Sequence, residues 1–99
     1  MTIKTILKDR QKQHGNYKDR ADLTIDLQNT IDTYRHYHRI DDHLPSYQLD
    51  ALRMICVKMA RIVNGDNNYA DHWADIAGYS QLVIDVIQSQ SESSLSPSK

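Results

Sequence analysis

The chain has 99 residues, which is enough for one small domain with a modest core. Its 12 Lys and Arg residues against 13 Asp and Glu residues leave a net charge of −1, which excludes a global field for gripping nucleic acid or an anionic membrane. No stretch approaches the ~18 apolar residues that a membrane span needs, and a single cysteine, Cys56, excludes an internal disulfide. These features predict one soluble, cytoplasmic domain in which any anion binding is local.

The first two predicted helices each carry one apolar face. The first spans about residues 3–13, where Thr2 can cap the start and Gly15 can end the helix. The second spans roughly residues 20–38, and its apolar positions advance by three or four residues. The two faces consist of Ile3, Ile6 and Leu7, and then of Leu23, Leu27, Ile31, Tyr34 and His38.

The second half of the chain predicts a helical hairpin. Pro45 breaks the periodicity, and Ser46 is the predicted N-cap of a third helix that ends at Asn64-Gly65 with a left-handed cap. The connection at residues 66–68 is so short that a fourth helix, over about residues 69–89, must pack antiparallel to the third.

The fourth predicted helix has an unusually wide apolar arc. Such an arc indicates burial on two sides, so we expect a homodimer or a higher homo-oligomer with the binding cleft near the subunit boundary. The Ser-rich segment 91–99 has no core-forming pattern and is predicted to be a disordered tail. We therefore predict an all-α, four-helix bundle-like domain over residues 1–90. The arc consists of Trp73, Ile76, Ser80, Val83 and Ile87, flanked by Tyr79, Leu82 and Val86.

Charged pairs on both sides of the hairpin turn form the main candidate site. Lys58 and Arg61 are three residues apart, and Asp71 and Asp75 are four apart, so each pair shares a helix face. In a purely structural role, the carboxylates pair with the cations across the hairpin and favour the positive helix N-terminus. In a functional role, the cations hold phosphate oxygens while one or both aspartates bind Mg²⁺.

Two further residues of the fourth helix allow two interpretations. Gly78 lies in mid-helix, where glycine costs about 1 kcal/mol relative to alanine. Close packing of a neighbouring helix explains that cost best, and close approach of a flat ligand is the alternative. Trp73 lies on an apolar stripe, which favours a core position, although its ring is also suited to stacking on a base.

The segment around Gly15 groups a cation, an imidazole and a phenol, contributed by Arg10, His14 and Tyr17. His14 is a candidate proton carrier or ligand orienter, with a favourable contact to the end of its own helix as the structural alternative. Other histidines, His36, His38 and His43, lack partners at a zinc-binding spacing, and Cys56 is predicted to belong to the core.

Three segments together resemble a family of small phage and prophage proteins. They are residues 10–17, 58–62 and 71–79, within a resemblance that covers about residues 5–84 in the same order. That family is in turn distantly similar to the all-α nucleoside triphosphate pyrophosphohydrolases of the MazG-like group. The resemblance implies a helical fold, a cleft suited to phosphate and a location in the cytoplasm of a bacterial host.

The MazG-like group binds Mg²⁺ with a Glu-x-x-Glu pattern on one helix and Glu-x-x-Asp on a later helix. In this sequence Asp75 matches the final Asp, whereas His72 stands in place of the preceding Glu. Lys58 and Arg61 occupy the Glu-x-x-Glu positions, and two cations repel Mg²⁺. The resemblance therefore implies the fold more strongly than catalysis, with Asp75 and His72 as the catalytic candidates.

Two hypotheses of function follow. The first is a protein that binds or hydrolyses a nucleoside triphosphate, and the second is an accessory protein that engages a host protein through its helices, with a purely structural charged hairpin. Nucleic-acid binding is disfavoured because the charge is balanced and no basic stripe is present. Under the first hypothesis, Lys58, Arg61 and Arg10 hold phosphates, Asp71 and Asp75 carry a metal or orient water, and Tyr79, Tyr17, His14 or Trp73 contact the ligand.

Overall fold

The computed structural model describes residues 2–40 and 43–95, with side chains as far as residue 91. Every regular element in this part of the chain is a helix, so the predicted all-α fold is confirmed. None of these helices combines the length and apolar content that crossing a bilayer requires. The elements are α1 (Ile3–His14), α2 (Tyr17–Tyr37), α3 (Ser46–Asn64) and α4 (Ala70–Leu95).

Side-chain caps decide where the first two helices begin. Thr2 caps α1 as predicted, since its hydroxyl accepts a hydrogen bond from the Thr5 amide at 3.2 Å. Asn16 caps α2 by accepting from the amides of Lys18 and Asp19 at 2.9 and 3.4 Å, so α2 begins three residues before the predicted start. At α3 the predicted cap is wrong, because Pro45 occupies the N-cap position and Ser46 is already the first helical residue.

The last helix is longer than its apolar pattern suggested. The α4 helix continues to Leu95 rather than ending near residue 89, so the tail predicted to start at residue 91 is helical in its first five residues. Glutamine, glutamate and serine have adequate helix propensity, and a helix already formed extends at low cost. The remainder of the predicted tail, residues 96–99, lies outside the described residues.

Helix α3 is the central element of the fold. It packs on α2 and on α4, while α1 packs across α2 and α3. The predicted hairpin of the third and fourth helices is therefore confirmed. Few apolar side chains are fully covered in this arrangement, and they are Ala51, Cys56 and Ala60.

Two glycines allow the ends of α1 and α3 to meet. Gly15 is buried at φ +86°, and an added Cβ would lie 2.5 Å from the carbonyl carbon of Asn64. An added Cβ at Gly65 would lie 2.5 Å from the Gln13 carbonyl oxygen. Gly65 has φ −119°, so the predicted left-handed cap is wrong, and the close approach of α1 is what requires glycine there.

Candidate anion site

Two histidines join α1 to α4 beside this glycine junction. His72 is buried with 1% of its surface exposed, and its Nε2–H donates to the Gln13 carbonyl oxygen at 2.7 Å. The same nitrogen lies 3.3 Å from Nδ1 of His14, which therefore serves as an acceptor in its neutral form. Burial, the cations Arg61, Arg20 and Lys58, and the neighbouring His72 lower the pKa of His14 to about 4.

Two arginines lie near this neutral imidazole, one on α2 and one on α3. The Nε atoms of Arg20 and Arg61 are both buried without a hydrogen-bond partner. Burial, and then the charge of Arg20, lower the pKa of the Arg61 guanidinium. Arg20 lies over the Tyr17 ring at 5.2 Å, which is a cation–π contact, and neither arginine forms an ion pair in the described part of the chain. The two guanidinium charges thus lie close together without ion pairs of their own, and the Asp75 carboxylate partly opposes the effect of Arg20 on the pKa of Arg61.

A third cation of the cluster is already paired. Nζ of Lys58 lies 3.0 Å from a carboxylate oxygen of Asp75, and only 11% of the lysine side chain is exposed. This contact, followed by the weaker influence of His72 and Arg61, lowers the pKa of Asp75. The structural pairing across the hairpin that the sequence predicts for Asp75 is therefore present. Asp71 instead lies beside the Tyr69 phenol, whose pKa it raises.

A shallow depression on α4 includes Asp75, the carboxylate that is paired with Lys58. Its volume is about 450 Å³, and it is open to solvent above Gly78, where an added Cβ would meet nothing within 4 Å. No helix of the same chain therefore packs at Gly78, and the predicted close approach of a helix is not seen in the single chain. The depression is lined by Ala74, Asp75, Gly78, Tyr79 and Leu82.

The structure brings together most, but not all, of the predicted site residues. The pKa of His14 and that of Asp75 are each lowered by the same three neighbours, Arg61, His72 and Lys58. Tyr79 raises the pKa of Arg61. Arg10 is exposed on α1, with no contact to this group, and Trp73 points its indole nitrogen to the Asn67 carbonyl at 3.0 Å. Trp73 is also 55% exposed in the single chain, so the core position favoured by its stripe is not seen.

Arg20 is a residue of this cluster that the sequence did not single out as a candidate. It stands near the start of the second helix among other charged residues, and no motif singles it out. Tyr17, three residues earlier on the same helix face, was the available signal, because arginine and tyrosine at this spacing can stack.

The cluster does not fit a resident metal ion. The part of the chain that the structure describes holds no group of three His, Cys, Asp or Glu side chains placed to bind one. The nearest carboxylate, Asp75, is held by Lys58, and Arg61 and Arg20 add charge that repels a cation.

We refer to Arg20, Arg61, Lys58, Asp75 and His14 as the anion site.

Comparisons with known proteins place the chain in one family. No curated protein and no solved structure matches it. The sequence model of a domain of unknown function, DUF6378, matches residues 2–87, which is most of the chain. The protein therefore belongs to the DUF6378 family.

Proposed function

We propose that this protein binds a phosphate-bearing ligand, a nucleotide, at the anion site. The observation that carries the proposal is the pair of guanidinium groups of Arg20 and Arg61, whose Nε atoms are buried and unbonded beside a neutral imidazole. Burying such donors without partners costs free energy, and adjacent like charges add to that cost. A phosphate bound to the outer N–H groups of the two guanidinium groups offsets their mutual repulsion.

The geometry of the groups suits phosphate oxygens. A guanidinium presents paired N–H donors that match phosphate in a bidentate contact, and two of them on separate helices can hold two oxygens or two phosphates. Lys58, paired with Asp75 at 3.0 Å, is a third cation beside the two guanidinium groups. His14 is held neutral next to the cations, so it can donate one hydrogen bond to the same ligand from Nε2.

The depression above Gly78 offers room for the rest of the ligand. It is open, about 450 Å³ in volume and bordered by the Tyr79 ring, which suits a sugar and a base. Because glycine alone leaves this surface concave, Gly78→Leu should block the ligand without touching a charged residue. Tyr17 contributes through Arg20, since its ring supports that guanidinium.

Within this proposal, binding is favoured over rapid hydrolysis. Cations occupy the positions at which the MazG-like group has metal-binding carboxylates, and Asp75 is engaged by Lys58. His72 is covered, and its Nε2–H is already donated, so the imidazole serves to hold α1 against α4. Mg²⁺ would therefore arrive with the nucleotide's phosphates, with Asp75 as the nearest carboxylate.

The test is the melting temperature of the protein against ribo-, deoxyribo- and cyclic nucleotides, each with and without Mg²⁺. Ligand at a hundredfold excess over Kd should stabilise the fold by about 2.7 kcal/mol. Arg61→Glu and Arg20→Glu should abolish the shift, while Lys8→Glu, an equal charge change at an exposed position of α1, should preserve it. An unchanged nucleotide affinity in Arg61→Glu would sink the assignment.

If no nucleotide raises the melting temperature, the second hypothesis is favoured, namely an accessory protein that engages a host protein. One observation supports it, namely that Ile3, Ile6 and Leu7 form an apolar stripe on α1 that is exposed in the single chain. Capture of a host protein by the wild-type chain, and its loss in Ile3→Glu, would be the corresponding result.

A further inference from the structure

The exposed side of α4 carries a regular apolar seam. Its positions are spaced by four, three, four and three residues, which is the 3.5-residue period of helices that pack along their length. The large side chains of this seam are exposed by 55% at Trp73, 42% at Ile84 and 45% at Ile87. The seam consists of Trp73, Ala77, Ser80, Ile84 and Ile87.

Helix α3 extends this seam into a broader surface. A groove of about 320 Å³ runs between the two helices, where Leu52 and Ile55 of α3 meet Ser80, Ile84 and Ile87 of α4. Further along α3, Met59 is 42% exposed and Val63 is 70% exposed. No charged side chain lines the groove. We call the α4 seam with these α3 residues the apolar face.

The single chain does not bury enough apolar surface to be a complete domain. Its radius of gyration is 17.5 Å, whereas a compact chain of this length has about 13 Å. The fully covered apolar side chains of the described residues are two alanines and a cysteine, while Leu52, Ile84 and Ile87 remain open. The chain therefore has the proportions of one half of a larger bundle.

We propose that a second copy of this chain covers the apolar face, with the two α4 helices antiparallel. In that arrangement the two-fold axis passes at the level of residue 82. Ser80 then faces the partner's Ile84, and Ala77 faces the partner's Ile87. Small residues meet large ones at every layer, which lets the side chains interdigitate. A parallel arrangement would instead oppose large with large and small with small.

The size of the face is adequate for such a contact. From Trp73 to Ile87 the seam is about 21 Å long, and two packed helices are about 20 Å wide, which gives roughly 400 Å² in projection. The accessible area of such a corrugated surface exceeds its projection, so two such faces together bury roughly 800 Å² or more, which is at the low end of specific interfaces. The residues that border the seam, Gln81 and Gln88 among them, carry no charge that would repel the second copy.

This contact is independent of the proposed function. Asp75 and Leu82 lie about half a turn around α4 from the seam, so the second copy leaves the anion site open to solvent. In this proposal the anion site, to which all four helices contribute, lies apart from the subunit boundary, whereas the sequence led us to expect a cleft near that boundary.

Sedimentation of the full chain tests the contact. The wild type should sediment as a dimer, and Ile84→Glu should sediment as a monomer because a carboxylate replaces a buried side chain. Leu82→Glu is the matched control, since Leu82 is 61% exposed on the opposite side of the same helix, and it should remain dimeric. The proposal is overturned if the wild type is a monomer at all concentrations, in which case another protein would cover the apolar face. It is also overturned if Leu82→Glu dissociates to the same extent as Ile84→Glu.

Cysteine cross-linking tests the orientation without relying on a destabilised variant. A mixture of Ala77→Cys and Ile87→Cys chains should form a disulfide-linked heterodimer on mild oxidation, because these positions face each other. Ala77→Cys alone should not cross-link, since its two copies would be about 15 Å apart along the axis. Cys56 is 3% exposed, so the wild type gives the background. Cross-linking of Ala77→Cys with itself overturns the antiparallel arrangement.

Discussion

A methyl group should have opposite effects at two of the glycines. At Gly15, φ +86° and ψ 177° lie in a region that only glycine adopts easily, and the added Cβ would press on Asn64. At Gly78 the helix is open on that side. Gly15→Ala should therefore destabilise the fold by at least about 1–3 kcal/mol, and Gly78→Ala should stabilise it by about 0.5–1 kcal/mol. Urea unfolding measures the change in the free energy of unfolding for each variant, and a change of the same sign in both would contradict these different roles of the two glycines.

The His14 imidazole should make stability depend on pH. Its pKa is about 4 in the folded protein, below the ordinary value of 6.5, chiefly because of burial and then because of Arg61. The unfolded chain therefore binds more protons between these values, so the free energy of unfolding is highest above about pH 6.5 and falls as the pH drops toward 4. Urea unfolding across this range should show the loss.

Substitution assigns that loss to one residue. His14→Gln should flatten the dependence between pH 6.5 and 4, because glutamine does not titrate. His38→Gln, at an exposed position after α2, serves as the control and should retain the wild-type slope. A slope that survives in His14→Gln would assign the dependence to another group.

At the scale of the element, the start of α2 depends on one amide side chain. Asn16 accepts two backbone hydrogen bonds there, so Asn16→Ala should cost about 1 kcal/mol. Asn29 is exposed in the middle of the same helix, where alanine is the better helix former, so Asn29→Ala should be neutral or stabilising. Thermal unfolding compares the two, and an equal loss in both would contradict the cap.

Periodicity predicted the elements better than their ends. The apolar spacing of α1 and α3 gave their extents within a few residues, because the helical period runs through most of each element. It missed the start of α2 because Asn16 caps without belonging to the apolar pattern, and it missed the end of α4 because helix propensity continues where apolar spacing stops.

At the scale of the whole molecule, stability should depend on protein concentration. If two copies bury the apolar face together, mass action favours the folded dimer as concentration rises. The melting temperature of the wild type should therefore increase with concentration in calorimetry, and that of Ile84→Glu should be lower and constant. A constant value for the wild type would argue against an assembly coupled to folding.

The sequence by itself determined the helical class and the hairpin of α3 and α4, because these depend on local periodicity and a short connection. It also placed two cations opposite two carboxylates across the hairpin, and only the structure showed that Lys58 pairs with Asp75. The tertiary structure alone brought Arg20 and His14 to Arg61, since residues on three helices meet only where Gly15 and Gly65 let α1 approach α3. It also decided which side of α4 is open, because a helical pattern shows how much apolar surface exists but not which neighbour covers it.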